Sequence, residues 1–153
     1  MSLKIKKETA QKLYVESPEW FKEQLVEKFG EACFKAKSFD DIKTIEDARV
    51  ATGHSVGYLK ISDEESTDEW AYRMLKMVVK AINMGWEPDW SNDNQYKYYP
   101  YFRVSSSGVG FSVSFYDYTA ASTSVGSRLC FESSEKSNYA AKQFGDIYKQ
   151  FLL

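Results

Sequence analysis

Apolar positions recur along this chain with two periods, and the change between them divides it. From Ser66 to Gly85 the period is helical. Trp70, Met74, Met77, Ala81 and Met84 follow in steps of four and three, with Ala71, Leu75, Val78 and Ile82 as a stripe beside them. Glu69, Arg73, Lys76, Lys80 and Asn83 fall on the opposite side. Ser66 with Glu69 reads as a capping box and Gly85 as the stop. Upstream, Ser17-Pro18 opens a helix carrying Trp20, Phe21, Leu25 and Phe29 and ending at Gly30. A shorter helix follows the acidic capping box Thr44-Ile-Glu-Asp47 and stops at Gly53. A last helix is predicted from about Ser134 to Leu152, with Tyr139, Ala140, Phe144, Ile147, Tyr148 and Phe151 towards the core.

After the loop Trp86–Asn94, broken by Pro88, Asp89, Asn92 and Asp93, the period drops to two. Three strands are predicted: Tyr98–Val104, Phe111–Tyr118 and Val125–Phe131. In the first, Tyr98, Phe102 and Val104 share one face, and Lys97, Tyr99, Tyr101 and Arg103 the other. In the second, Phe111, Val113 and Phe115 oppose Ser112, Ser114, Tyr116 and Tyr118. The third sets Val125, Leu129 and Phe131 against Arg128 and Cys130. The expectation is one α+β domain over 1–153, with a helical part at about 8–85, a three-stranded antiparallel meander at about 98–131 and a C-terminal helix at about 134–152. Several helices are expected to pack on one face of the meander.

Composition narrows the functional classes. A net charge of −2 argues against a general polyanion binder, whose surface is normally basic. Cys33 and Cys130 are far apart and there is one histidine, so a zinc site of Cys and His is out of reach. Two buried reduced thiols are the simpler expectation. No apolar run approaches a membrane span, and Met1–Lys7 does not look like a signal peptide, so the cytoplasm is the expected location and no membrane partner is expected.

Several motifs fail on context. Gly53-His-Ser-Val-Gly57 matches a hydrolase elbow, but a helix precedes it and its only His adjoins the Ser. Ser133-Ser-Glu-Lys136 has the nucleophile spacing of β-lactamases without the companion motifs, and reads as a helix cap. Gly108-Val-Gly110 sits in a hairpin turn rather than before a phosphate-binding helix. Asp89, Ser91, Asp93 and Asn94 start like a calcium loop, then place Asn and Pro100 where Gly and Glu belong. No catalytic residue, cofactor or metal site is therefore expected.

What remains is the outward sheet face: Lys97, Tyr99, Tyr101, Arg103, Tyr116, Tyr118 and Arg128, extended by Trp86 and Trp90. Such a face could stack unpaired bases while its cations meet phosphates, or receive a partner protein, for which Tyr, Trp and Arg are the usual anchors. It could equally be covered by another element, or pair with a second copy in a homodimer. A competing reading is an enzyme using Asp89, Asp93 and His54 around the Trp86–Trp90 loop.

The blocks Ser17-Pro-Glu-Trp-Phe-Lys22, Asn83-Met-Gly-Trp-Glu-Pro-Asp-Trp90, Asn94-Gln-Tyr-Lys-Tyr-Tyr-Pro-Tyr-Phe102, Val125-Gly-Ser-Arg-Leu-Cys-Phe131 and Ala141-Lys-Gln-Phe144 resemble an uncharacterised family of small proteins from Bacteroidales bacteria, their phages and mobile elements. The resemblance implies an intracellular accessory role, with nucleic acid or a phage protein as candidate partner. It carries no catalytic residue.

Overall fold

The computed structural model describes residues 4–14, 16–117 and 128–153. Helices α1 (Lys7–Tyr14) and α2 (Glu19–Phe29) precede a short 3₁₀ turn at Glu31–Phe34. Together they enclose a small core of Ala10, Leu25, Cys33 and Phe34, where the Tyr14 ring stacks on Phe34 at 4.3 Å. Pro18, not Ser17, caps α2: its carbonyl accepts from the Phe21 and Lys22 amides at 2.9 and 3.1 Å. Ser17 Oγ instead donates to the Leu13 carbonyl at 2.8 Å, closing the preceding helix.

The larger core is built around α4 (Thr67–Asn83), flanked by α3 (Ile45–Thr52), α5 (Ser134–Gln143) and α6 (Gly145–Leu152). The predicted caps form. Asp47 accepts from the Thr44 amide and hydroxyl, both at 2.8 Å, and Glu69 does the same for Ser66 at 2.8 Å. Met74, Leu75, Met77, Val78 and Ile82 are buried as their stripes require.

The far end of α4 departs from expectation. Met84, with φ of 53°, takes the left-handed position one residue before Gly85, so the helix ends at Asn83 and the Met84 side chain leaves the apolar stripe for solvent. Asn83, expected on the polar side, is buried. The predicted C-terminal helix is interrupted at Phe144, whose φ/ψ of −113°/25° separates α5 from α6. Glycine follows the break and Phe144 itself is buried. On α6 the Tyr148 hydroxyl is buried without a hydrogen-bond partner among the described residues.

The fold is α+β, as expected, with helices packed on one side of an open three-stranded antiparallel sheet. Strands β1 (Lys97–Ser105) and β2 (Gly108–Asp117) form a hairpin, with α5 packed across both. The third strand joins the other edge of β1, giving the order β2–β1–third strand rather than a sequential meander. It is seen at Phe131, which exchanges both backbone hydrogen bonds with Tyr98, at 3.0 and 2.6 Å. Residues 125–127 of its expected range lie outside the described residues.

Asn83 explains how that third strand is held from its other side. Phe131 turns its amide and carbonyl to β1, so its two neighbours turn theirs away. Asn83 Nδ2 donates to the Cys130 carbonyl at 2.9 Å, and Asn83 Oδ1 accepts from the Glu132 amide at 3.2 Å. One side-chain amide thus replaces the next strand of the sheet.

A candidate binding face on the sheet

Register decides which side chains face outward. Tyr99 pairs with Phe115 and Tyr101 with Val113, but Phe102 pairs with Phe111, so Ser112 is an extra residue in β2. This bulge resets the alternation. Phe111 meets Phe102 on the helix side, and Phe102 in turn packs on Tyr148 at 4.8 Å between ring centres. Beyond the bulge Ser114 faces the helices, its hydroxyl donating to Asn138 Oδ1 at 2.8 Å and bonded to the Ser137 hydroxyl at 2.7 Å. Phe115 is therefore turned outward and Tyr116 inward, the reverse of the sequence expectation.

On the outer face Tyr101 and Phe115 meet edge to face, 5.2 Å between centres, with 46% and 47% of their surfaces exposed. Tyr99 is half-buried beside them and Arg103 is exposed further along β1. Tyr116, although on the helix side, is half exposed at the sheet margin, where it packs on Tyr96 at 4.7 Å and Tyr98 at 5.8 Å. Two aromatic clusters thus replace the single predicted one. Period-two reading misses Phe115 because no local signal marks Ser112 as the bulge, and misses Tyr96 because it precedes β1.

Lys97 is the main correction among the predicted cations. It is buried rather than outward: its ammonium lies over the Trp90 ring at 5.4 Å and donates to the Asn92 carbonyl at 3.0 Å. The 86–96 loop can cover it because short-range bonds shape that loop. Ser91 donates to Asp89 Oδ1 from amide and hydroxyl, at 2.9 and 2.6 Å, and the Asn94 amide donates to Asn92 Oδ1 at 2.9 Å. The Ser91 bonds hold the Asp89 carboxyl below its usual range. Trp86 and Trp90 are half-buried in this loop, Arg128 is exposed just before the third strand, and Tyr118 lies outside the described residues. Cys130 is buried, its thiol pushed up to about 11 by desolvation, and neither cysteine forms a disulfide.

His54 and Asp89, two of the residues of the enzyme reading, serve other contacts. His54 stacks on Tyr58 at 3.9 Å, with the rings 5° from parallel, and the Arg73 guanidinium also lies over Tyr58 at 4.8 Å. Glu65 grips Arg73 with two bonds of 2.7 Å, which lowers the carboxyl pKa and raises that of the guanidinium. Arg73 also donates to the Tyr58 carbonyl. No hydrogen bond or ring contact among the described residues joins His54 to Asp89 or Asp93. Ser55 stands between the left-handed end of α3 and a 3₁₀ turn at Val56–Leu59, not after a strand.

Burial lowers the His54 pKa from 6.5, reinforced by the charges of Lys80 and Arg73. The unfolded chain therefore binds the proton first, and stability falls as pH drops through 6.5 towards the folded value. The expected loss is small, because the ring is only partly shielded. Urea midpoints measured across this range should fall more for the wild type than for His54→Phe, which keeps a ring on Tyr58. Parallel slopes would show that His54 is not responsible.

No helix among the described residues is long and apolar enough to cross a membrane. Neither a family model, nor a curated protein, nor a solved structure matches this chain.

Proposed function

We propose that this chain is a non-enzymatic accessory module that docks a partner protein on the outer face of its sheet. The observation that carries the reading is the half-exposed Tyr101–Phe115 pair with exposed Arg103 on the same strand. Aromatic and arginine side chains supply most of the binding energy at protein interfaces, since they combine large apolar area with few rotatable bonds. A single strand of nucleic acid is a weaker fit. It needs a track of cations, and Lys97 lies under Trp90. The two buried cysteines, neither in a disulfide, support work in a reducing compartment, the cytoplasm. The resemblance of the Asn83–Trp90 and Asn94–Phe102 blocks to small proteins of Bacteroidales phages and mobile elements supports an accessory role in that setting.

The test is photo-crosslinking in the native host, with a benzophenone side chain at the exposed Ser112 position and, as control, at Trp20 on α2. A discrete protein adduct is expected from position 112 alone, and should disappear with Tyr101→Ala/Phe115→Ala. The same adducts from both positions, or adducts indifferent to the double substitution, would sink the reading. Salt-sensitive binding of a labelled single-stranded oligonucleotide, lost in that double variant, would transfer the face to nucleic acid. An adduct of twice the chain mass would identify the partner as a second copy.

A further inference from the structure

The two cores meet along a seam. The Glu16 carboxylate crosses it to accept from the Val56 amide at 3.2 Å. Between α1, the 3₁₀ turn at Glu31–Phe34 and α3 lies an open groove of about 550 Å³. Its volume falls in the range of small-molecule sites, which favour junctions between packed units. Phe29, Phe34, Ile42 and Val50 give it an apolar lining, and Lys7, Lys12, Lys35 and Lys37 line its charged parts.

The acids of the groove are mostly engaged already. Asp41 accepts from the Lys37 and Ser38 amides at 3.0 and 3.1 Å, and Asp47 serves the Thr44 cap. Glu46 is gripped by Arg49. Glu8 is the groove carboxylate without such a bond among the described residues. By contrast, Lys7, Lys12 and Lys37 make no side-chain hydrogen bond or close ion pair among the described residues. The charge of Lys12 still reaches Glu46 and helps to hold its carboxyl below the usual range. Uncommitted ammonium groups beside an apolar lining are complementary to a molecule with one anionic end and an apolar body.

We propose that this seam groove binds a small amphipathic carboxylate, its ring or alkyl body on Phe34, Ile42 and Val50 and its carboxylate at Lys12 and Lys37. The site is separate from the sheet face and does not depend on the role given to that face. Occupancy would fill space between the two cores, so ligand should also raise the unfolding midpoint.

Three probes that differ in charge on one ring system test this by calorimetry: naphthoate, naphthalenemethanol and naphthylmethylammonium. Naphthoate should bind in equimolar ratio with a Kd below about 1 mM, and the neutral alcohol about tenfold more weakly. Lys12→Gln/Lys37→Gln should weaken naphthoate about tenfold and leave the alcohol unchanged, with Lys149→Gln on α6 as an inert control. Both lysines are exposed, so the double variant should fold, and its thermal melt verifies this. Amide NMR shifts should map to α1, α3 and the 3₁₀ turn at Glu31–Phe34. No saturable naphthoate binding, equal affinity for all three probes, or shifts confined to Tyr101 and Phe115 would each overturn the proposal.

Discussion

Replacing Asn83 with alanine should lower the free energy of unfolding by about 3 kcal/mol, since it strips the donor from the buried Cys130 carbonyl and the acceptor from the partly buried Glu132 amide. The Cys130 carbonyl and the Glu132 amide would lose their partners together, and no other strand stands on that side of Phe131 among the described residues. At this chain length the melting temperature should drop by about 6–12 °C. Asn83→Asp is the sharper probe. It keeps an acceptor for the Glu132 amide but turns an oxygen towards the Cys130 carbonyl, so it should destabilise despite its similar shape. Urea denaturation of the three proteins decides the matter. An alanine variant within about 0.5 kcal/mol of wild type would show that water replaces the amide and that the edge needs no clamp.

Arg49 carries the second large effect. Its side chain is fully buried, with Nε at 3.1 Å from Glu46 Oε2 and Nη1 donating to the His54 carbonyl at 2.9 Å. It ties the body of α3 to the turn that follows it. Losing one member of a fully buried ion pair costs about 3–5 kcal/mol. Glu46 is partly exposed and can recover water, so Arg49→Ala is expected to cost about 2–3 kcal/mol. Arg49→Lys keeps the charge but not the planar fork, and should recover less than half of the loss. The Arg49 hydrogen bond holds the Glu46 pKa below 4.5, so the pair's contribution is present above that value and disappears as pH falls through the folded pKa. The gap between wild type and Arg49→Ala should therefore narrow in acid. A gap independent of pH would assign the loss to packing alone.

The elements that sequence made legible are those governed by local chemistry. Thr44 with Asp47 and Ser66 with Glu69 announce helix starts because the bonds concerned span three residues, and the α4 stripes mark its buried face. The parts that sequence obscured depend on partners distant in the chain. Asn83 looks like a polar-side residue until the third strand lies against it, 47 residues away. Lys97 alternates outward with Tyr99 and Tyr101, yet the Trp90 loop folds back over it. In the candidate face Tyr101 and Arg103 lie outward as alternation predicts, whereas Phe115 and Tyr116 exchange sides. The exchange has one cause, an unpaired residue in β2 that alternation alone cannot locate.

That same residue gives the hairpin a reserve of length. Between Phe111 and Phe115 the second strand carries one residue more than its partner needs. A single-codon deletion in this interval can be absorbed by straightening the backbone, with Phe115 still beside Tyr101 and Phe111 still beside Phe102. A deletion in β1 has no such slack, and would carry every side chain beyond it to the opposite side. Natural length variation in this hairpin should therefore collect around Ser112 and spare the Tyr99–Arg103 stretch, so that the shape of the aromatic face outlasts changes in the strand that supports it.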